Sequence, residues 1–188
     1  MRVFIAVDID EHIRKALGNL QSQLQGEIDV RKSDIKWVNP ESIHLTLKFL
    51  GEIKDEQAAE VCDIIKQVAQ RHNSFELAVE SLGCFGGKSA RVGWVATAAG
   101  TDELAHLQKH IEKQLAQAGW PPENRQFTGH LTLCRIRNPK AGFELAQVAQ
   151  NYGDYKLGIT YIDSVTVYQS QLMPKGPIYT QLGNYKLQ

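Results

Sequence analysis

Polar and apolar positions along the chain fall into short blocks of two periods. Arg2–Val7 is rich in Val, Ile and Phe and predicts a strand. Residues 11–24 place Ile13, Leu17, Leu20 and Leu24 at helical spacing, with Gly26 as a stop. Residues 35–50 read as extended, broken by an Asn39-Pro40 turn, with a strand over 44–49. A second amphipathic helix is predicted over 55–68, with Ala58, Val61, Ile64, Ile65 and Val68 on one side, then a short strand over 75–79 and a glycine-rich loop over 83–87.

The pattern then begins again. Residues 91–96 predict a strand, and 101–118 a helix capped by Thr101 with Leu104, Leu107, Ile111 and Leu115 inward. Trp120-Pro121-Pro122 ends it. A strand is predicted over 127–136, a short helix over 143–150, and strands over 155–167 and 179–187, with a turn over 173–177 between them. Each half reads strand, helix, strand, helix, strand. Arg2 precedes His44 by 42 residues and Arg91 precedes His130 by 39. A near-equal period of this kind marks an internal duplication, with halves of about 1–87 and 88–188 in one domain.

Composition narrows the class. The 188 residues carry 21 basic and 21 acidic side chains, so the net charge is zero. A strongly basic nucleic-acid coat is excluded, and any nucleic acid must be gripped locally. With 43% apolar and 22% charged residues the chain is a folding, globular sequence. Cys62, Cys84 and Cys134 are odd in number and form no CxxC pair, which argues for reduced thiols. No apolar run approaches a membrane span, and the N-terminus has no secretion signal. The expectation is a cytoplasmic monomer with no membrane contact.

The chemistry lies in a repeated tetrad. His44-Leu45-Thr46-Leu47 recurs as His130-Leu131-Thr132-Leu133, each copy at the same point of its half. In a strand, alternate side chains share a face, so each His and Thr point one way and each Leu pair the other. An approximate two-fold would then set two imidazoles and two hydroxyls around one cleft. Imidazoles across a gap can serve as general base and general acid. Threonine hydroxyls can donate to oxygens that gain charge. That set suits in-line displacement at phosphorus. A single strand histidine is usually structural; the pairing is what favours catalysis. Two histidines without a third clear ligand are weak for zinc, and no metal or other cofactor is called for.

The two tetrads resemble the paired His-x-Thr-x motifs of the two-histidine phosphoesterase superfamily. Within it the chain is most similar to the RNA 2′,3′-cyclic phosphodiesterases, also called 2′-5′ RNA ligases. The likeness includes residues 2–6 (RVFIA), 44–51 (HLTLKFLG), 82–85 (LGCF), 130–136 (HLTLCRI), and Ser170, Gly176 and Tyr179. It implies an α+β, bilobal, pseudo-two-fold duplicated fold, with antiparallel sheets lining a central cleft and helices outside. It also implies opening of a terminal 2′,3′-cyclic phosphate of RNA to a 2′-phosphate. His130 would be the base that activates water, His44 the acid that protonates the departing 3′ oxygen, and Thr46 and Thr132 the holders of non-bridging oxygens. The reverse reaction would make a 2′-5′ linkage.

Other residues are candidates for substrate binding. Arg135 could clamp phosphate, but strict alternation turns it away from His130 unless a bulge intervenes. Lys48 has the parity of His44 and Thr46. Phe49, Trp37 and Phe85 could stack on a base. Arg31, Lys32 and Lys36 form a small basic cluster. His72, His106 and His110 carry no pattern and are read as surface residues. Two alternatives stand beside RNA cyclic ends. One is another phosphodiester, such as a small cyclic nucleotide, a 2′-5′ oligonucleotide or an ADP-ribose cyclic phosphate. The other is a non-enzymatic module that holds RNA ends.

Overall fold

The computed structural model describes residues 1–174 and 176–188. In chain order the elements are β1 (Arg2–Val7), α1 (Glu11–Glu27), β2 (Ile35–Trp37), β3 (Leu45–Glu52), α2 (Asp55–Ala69), β4 (Phe75–Phe85), β5 (Val92–Thr97), α3 (Thr101–Gln117), β6 (His130–Ile136), α4 (Pro139–Ala149), β7 (Lys156–Ile162), β8 (Ser164–Met173) and β9 (Gly176–Lys186). All strand pairings are antiparallel. The fold is α+β and bilobal, as the resemblance implied.

Two sheets form. The first has the order β3-β1-β8-β9 and the second β2-β6-β5-β4-β7. Leaving out the short β2, the orders correspond position by position, and the two tetrad strands β3 and β6 occupy matching places. The correspondence is not a division of the chain into halves. Strand β4 leaves the first half to pair with β5, and β8 leaves the second half to pair with β1. Each sheet therefore takes two strands from the other half, β8 and β9 in the first and β2 and β4 in the second.

Helices cover the outer faces. Helix α2 packs on β8 and β9 and against α3, which also touches β3. Helix α4 packs on β4 and β6 and against α1, which also touches β7. The stripes read from the sequence are the buried ones: Ile13, Leu17, Leu20 and Leu24 in α1, and Leu104, Leu107, Ile111 and Leu115 in α3, are fully enclosed. The leucines of both tetrads join the same core. No helix among the described residues is long and apolar enough to cross a membrane.

Several expectations change. Helix α1 runs past Gly26 to Glu27. Strand β4 is 11 residues long and takes in Gly83–Phe85, because residues 82–85 pair with β5; the turn begins only at Gly86. The strand expected over 127–136 starts at His130. The helix expected from residue 143 starts at Pro139, because Asn138 accepts a hydrogen bond from the Lys140 amide and Pro139 fits the first helical turn. Residues 155–167 are two strands in different sheets, parted at Asp163. The turn over 173–177 includes Lys175, which lies outside the described residues. Thr101 does not cap α3. Gly100 holds that place at φ 90, where a side chain would strike the Glu76 carbonyl, and the Thr101 hydroxyl donates instead to Thr97 Oγ1 at 2.8 Å.

The three histidines read as surface residues form a cluster where α2 meets α3. His72 is 9% exposed, its Nε2 lies 2.8 Å from His110 Nδ1, and its ring centroid is 5.1 Å from that of His106. Burial lowers the pKa of His72, and His110 and His106 add to the effect. Burial lowers that of His110 too, with Arg71, His106 and Lys113 acting in the same direction. A folded-state value below the unfolded one, about 6.5, means that the folded chain binds fewer protons. Stability from these groups is full above pH 6.5 and is lost as the pH falls through the folded-state values. The melting midpoint should therefore drop between pH 7 and pH 5.5, and His72→Phe should flatten that slope. A midpoint that stays level across this range in the parent chain would contradict the assignment.

Candidate active site

Each tetrad strand carries an extra residue at the same point, and β3 has a second one at Leu50. Along β3, Thr46 faces Ala6 and Lys48 faces Ile5, so Leu47 has no partner. Along β6, Thr132 faces Trp94 and Cys134 faces Gly93, so Leu133 has none. Both are β-bulges, and each reverses the alternation beyond it. Residues 43–50 and 129–136 accordingly share one burial sequence: the tetrad leucines and the next residue, Lys48 or Cys134, are buried, and Phe49 and Arg135 are exposed.

This bulge decides the supporting residues. Arg135 is returned to the face of His130 and Thr132. Burial pushes the pKa of the Tyr179 phenol up, and the charge of Arg135 opposes the rise. Phe49 takes the equivalent place on the first sheet, 68% exposed and 6.0 Å from the ring of Phe4. Lys48 goes the other way, against the parity expectation. Its side chain is 5% exposed, and its ammonium donates to both Glu112 oxygens at 2.8 Å and to the Pro121 carbonyl at 3.0 Å. It is a core ion pair and does not face the cleft. Trp37 pairs with Cys134 on the helix-covered side, while Phe85, 40% exposed, packs edge-on to His130 at 5.2 Å.

The two imidazoles are held alike. His44 Nδ1 lies 2.9 Å from the Ser42 carbonyl, and His130 Nδ1 lies 2.8 Å from the Thr128 carbonyl. A carbonyl only accepts, so each Nδ1 carries the proton and each Nε2 is left for chemistry. Their surroundings differ. His44 stacks on Phe4 at 4.7 Å and meets Tyr179 edge-on at 5.2 Å. Burial lowers its pKa, opposed by the Ser42 carbonyl and by Asp8. His130 lies by Phe85 and Trp94. Trp94 lies flat over Gly83, where a methyl group would come within 2.5 Å of the indole.

A polar group behind His44 was not legible in the sequence. Asp8 accepts from Tyr168 Oη at 2.9 Å and Thr166 Oγ1 at 3.0 Å, with Arg14 at 3.8 Å. Burial and Asp8 push the Tyr168 phenol up to about 12, so it stays a neutral donor. Arg14 also donates to the carbonyls of Pro40, Glu41 and Ile43 and so fixes the short turn that presents His44. Asp8, Arg14 and Tyr168 line a pocket of about 330 Å³ beside His44, together with Pro177, Ile178 and Tyr179.

Strands β3 and β6 touch, so two imidazoles with free Nε2 atoms, two threonine hydroxyls and an exposed arginine are presented from neighbouring strands, a set whose chemistry suits an anion with a tetrahedral centre. Known proteins share this frame. Residues 7–94 and 95–179 each match the family described as LigT like Phosphoesterase, one tetrad in each match. The chain belongs to that family. It is 32% identical to the RNA 2′,3′-cyclic phosphodiesterase of Archaeoglobus fulgidus, over 97% of this chain and 98% of the relative. The Thermotoga maritima protein of the same name is 30% identical, over 97% and 93%. Among solved structures, a Thermus thermophilus protein superposes with a TM-score of 0.80 at 26% identity, over 100% of this chain and 98% of that one. Escherichia coli LigT complexed with 3′-AMP gives 0.76 at 23%, over 99% and 97%, and shows the common fold.

Two buried glutamines that the sequence pattern did not single out reach the bulge carbonyls, and the Val38 amide joins one of them at Leu133. Gln21, in α1, donates to the carbonyls of Leu133 at 3.0 Å and Val38 at 2.8 Å. Gln108, in α3, donates to the Leu47 carbonyl at 3.4 Å. Polar residues at helix positions that face the core were the available signal. Gln21→Leu should cost about 2 kcal/mol, the scale of a buried group left unpaired. The melting midpoint should fall by roughly 4–8 °C in a chain of this length. Turnover should fall as well, because Thr132 and Arg135 lose their register. A thermal melt with a matched rate measurement checks this, and an unchanged midpoint would refute it.

Proposed function

We propose that this phosphoesterase hydrolyses the terminal 2′,3′-cyclic phosphate of RNA to a 2′-phosphate by metal-free general acid–base catalysis, with 2′-5′ ligation as the reverse. The observation that carries the reading is the matched pair of tetrads, each with Nδ1 tied to the carbonyl two residues back and Nε2 free. The full-length relatives named RNA 2′,3′-cyclic phosphodiesterase support the substrate class.

In the forward direction His130 Nε2 takes a proton from water, and the water oxygen attacks phosphorus. The bond from phosphorus to O3′ breaks, and His44 Nε2–H gives its proton to O3′. Thr46 and Thr132 donate to the non-bridging oxygens, where negative charge grows. Arg135 stands on the same face, beyond Thr132 and toward the rest of the substrate. Which histidine is acid and which is base follows the family resemblance. The buried setting of His44 bears on it: in the free protein its proton is weakly held. A bound phosphate brings the negative charge that offsets the cost of burial and lets His44 act as the acid.

His44→Ala or His130→Ala should lower kcat roughly a hundredfold or more, the usual scale for a lost general acid or base. Thr46→Ala or Thr132→Ala should cost on the order of tenfold to a hundredfold. The substrates to use are RNA with a 2′,3′-cyclic end, adenosine 2′,3′-cyclic phosphate, a 2′-5′ dinucleotide and ADP-ribose 1″,2″-cyclic phosphate. If only the last two are cleaved, the substrate assignment is wrong; if RNA ends bind without turnover, the protein is a binding module. Turnover should persist in a strong chelator.

The pH profile tests the acid–base pair. kcat/KM should be bell-shaped, with one limb set by His44 below the ordinary imidazole value of about 6.5. An NMR titration should place His44 below that value in the free protein and move it up when phosphate binds. A single sigmoid would refute the paired roles.

A further inference from the structure

The reaction uses only the end of the chain, yet the cleft face of the second sheet continues past the tetrad. Strand β2 pairs with β6 so that Lys36 lies directly opposite Arg135. Directly opposed residues on antiparallel strands share a face. The bulge at Leu133 puts Arg135 on the face of His130 and Thr132, so Lys36 is there too. Both side chains are exposed, and among the described residues neither forms an ion pair. Two like charges directly opposed across a ladder are unfavourable by themselves. Their placement makes sense if an anion sits between them.

The same row continues beyond the cations. Arg135 faces Val92 on β5, and Val92 faces Phe85 on β4. The order across four strands is therefore Lys36, Arg135, Val92, Phe85: two cations, then an apolar surface ending in a partly exposed ring. One nucleotide has that division, a phosphate at one side and a flat base at the other. The row is also at a suitable step from the reacting centre. With the bulge counted as one position, Arg135 is two pleat positions beyond Thr132, about 7 Å along the strand. That matches the step from a terminal cyclic phosphate to the next phosphodiester.

We propose that Lys36 and Arg135 form a second anion site, for the phosphodiester on the 5′ side of the terminal nucleotide, with Val92 and Phe85 supporting the preceding base. The site rests on the cyclic phosphodiesterase reading and extends it. It makes the substrate an oligonucleotide end, with a free cyclic mononucleotide as the poorer version. Lys36, on a three-residue edge strand, touches no reacting atom and acts on binding alone.

The test compares adenylyl-(3′→5′)-adenosine 2′,3′-cyclic phosphate with adenosine 2′,3′-cyclic phosphate. The readout is the ratio of their kcat/KM values. The parent protein should favour the dinucleotide. Lys36→Ala should lower that ratio on the order of tenfold, the scale of a lost charged hydrogen bond, and Lys36→Arg should restore it. A methylphosphonate at the internucleotide linkage, which removes the charge, should lower the parent ratio by a similar factor and have little further effect in Lys36→Ala. Turnover of both substrates with no preference, or with a ratio unmoved by Lys36→Ala, overturns the second site and leaves the reaction standing. Turnover of neither substrate overturns the reaction and the site together.

Discussion

One unpaired residue in each of two strands sets the chemistry of this molecule. A strand carrying His-Leu-Thr-Leu buries its leucines and leaves its polar pair on the open face, but strict alternation would then bury whatever stands five places after the histidine. The bulges at Leu47 and Leu133 reverse the phase. Phe49 and Arg135 come out to the cleft as a result, and Lys48 and Cys134 go in. A bulge leaves backbone groups off the ladder, and buried backbone groups need partners. Gln21 and Gln108 supply donors at those points, each from a helix that belongs to the other half of the chain.

The duplication is thus symmetric in frame and asymmetric in what it displays. Both imidazoles are oriented by the carbonyl two residues back. Beyond that, one side presents an exposed aromatic ring and an imidazole enclosed by Phe4, Tyr168 and Tyr179, while the other presents a guanidinium and a more open imidazole. A cyclic phosphodiester is itself asymmetric, with an entering oxygen on one side and a departing one on the other. Two identical half-sites would have no means of telling these apart.

The sequence made the tetrads, the duplicated pattern and the buried stripes of the helices legible, because each depends on a short period. What it hid depends on contacts between distant residues. Nothing local marks a bulge in a run of apolar residues, so the parity of Lys48 was read wrongly and that of Arg135 could be given only conditionally. Asp8 and Tyr168 are 160 residues apart and meet because β1 lies beside β8. The break at Asp163 was invisible, because the residues on either side of it are equally suited to strands. His72 looked like a surface residue because the sequence does not show that α2 packs against α3.

The exchange of β4 and β8 has a mechanical consequence. Two lobes joined by a single linker can swing like a jaw. Here the chain crosses between the two sheets four times, at α1, at the turn before His44, at α2 and at Asp163, so the lobes are tethered at several points. Any change in the aperture between the two tetrads must be accommodated at all four crossings together.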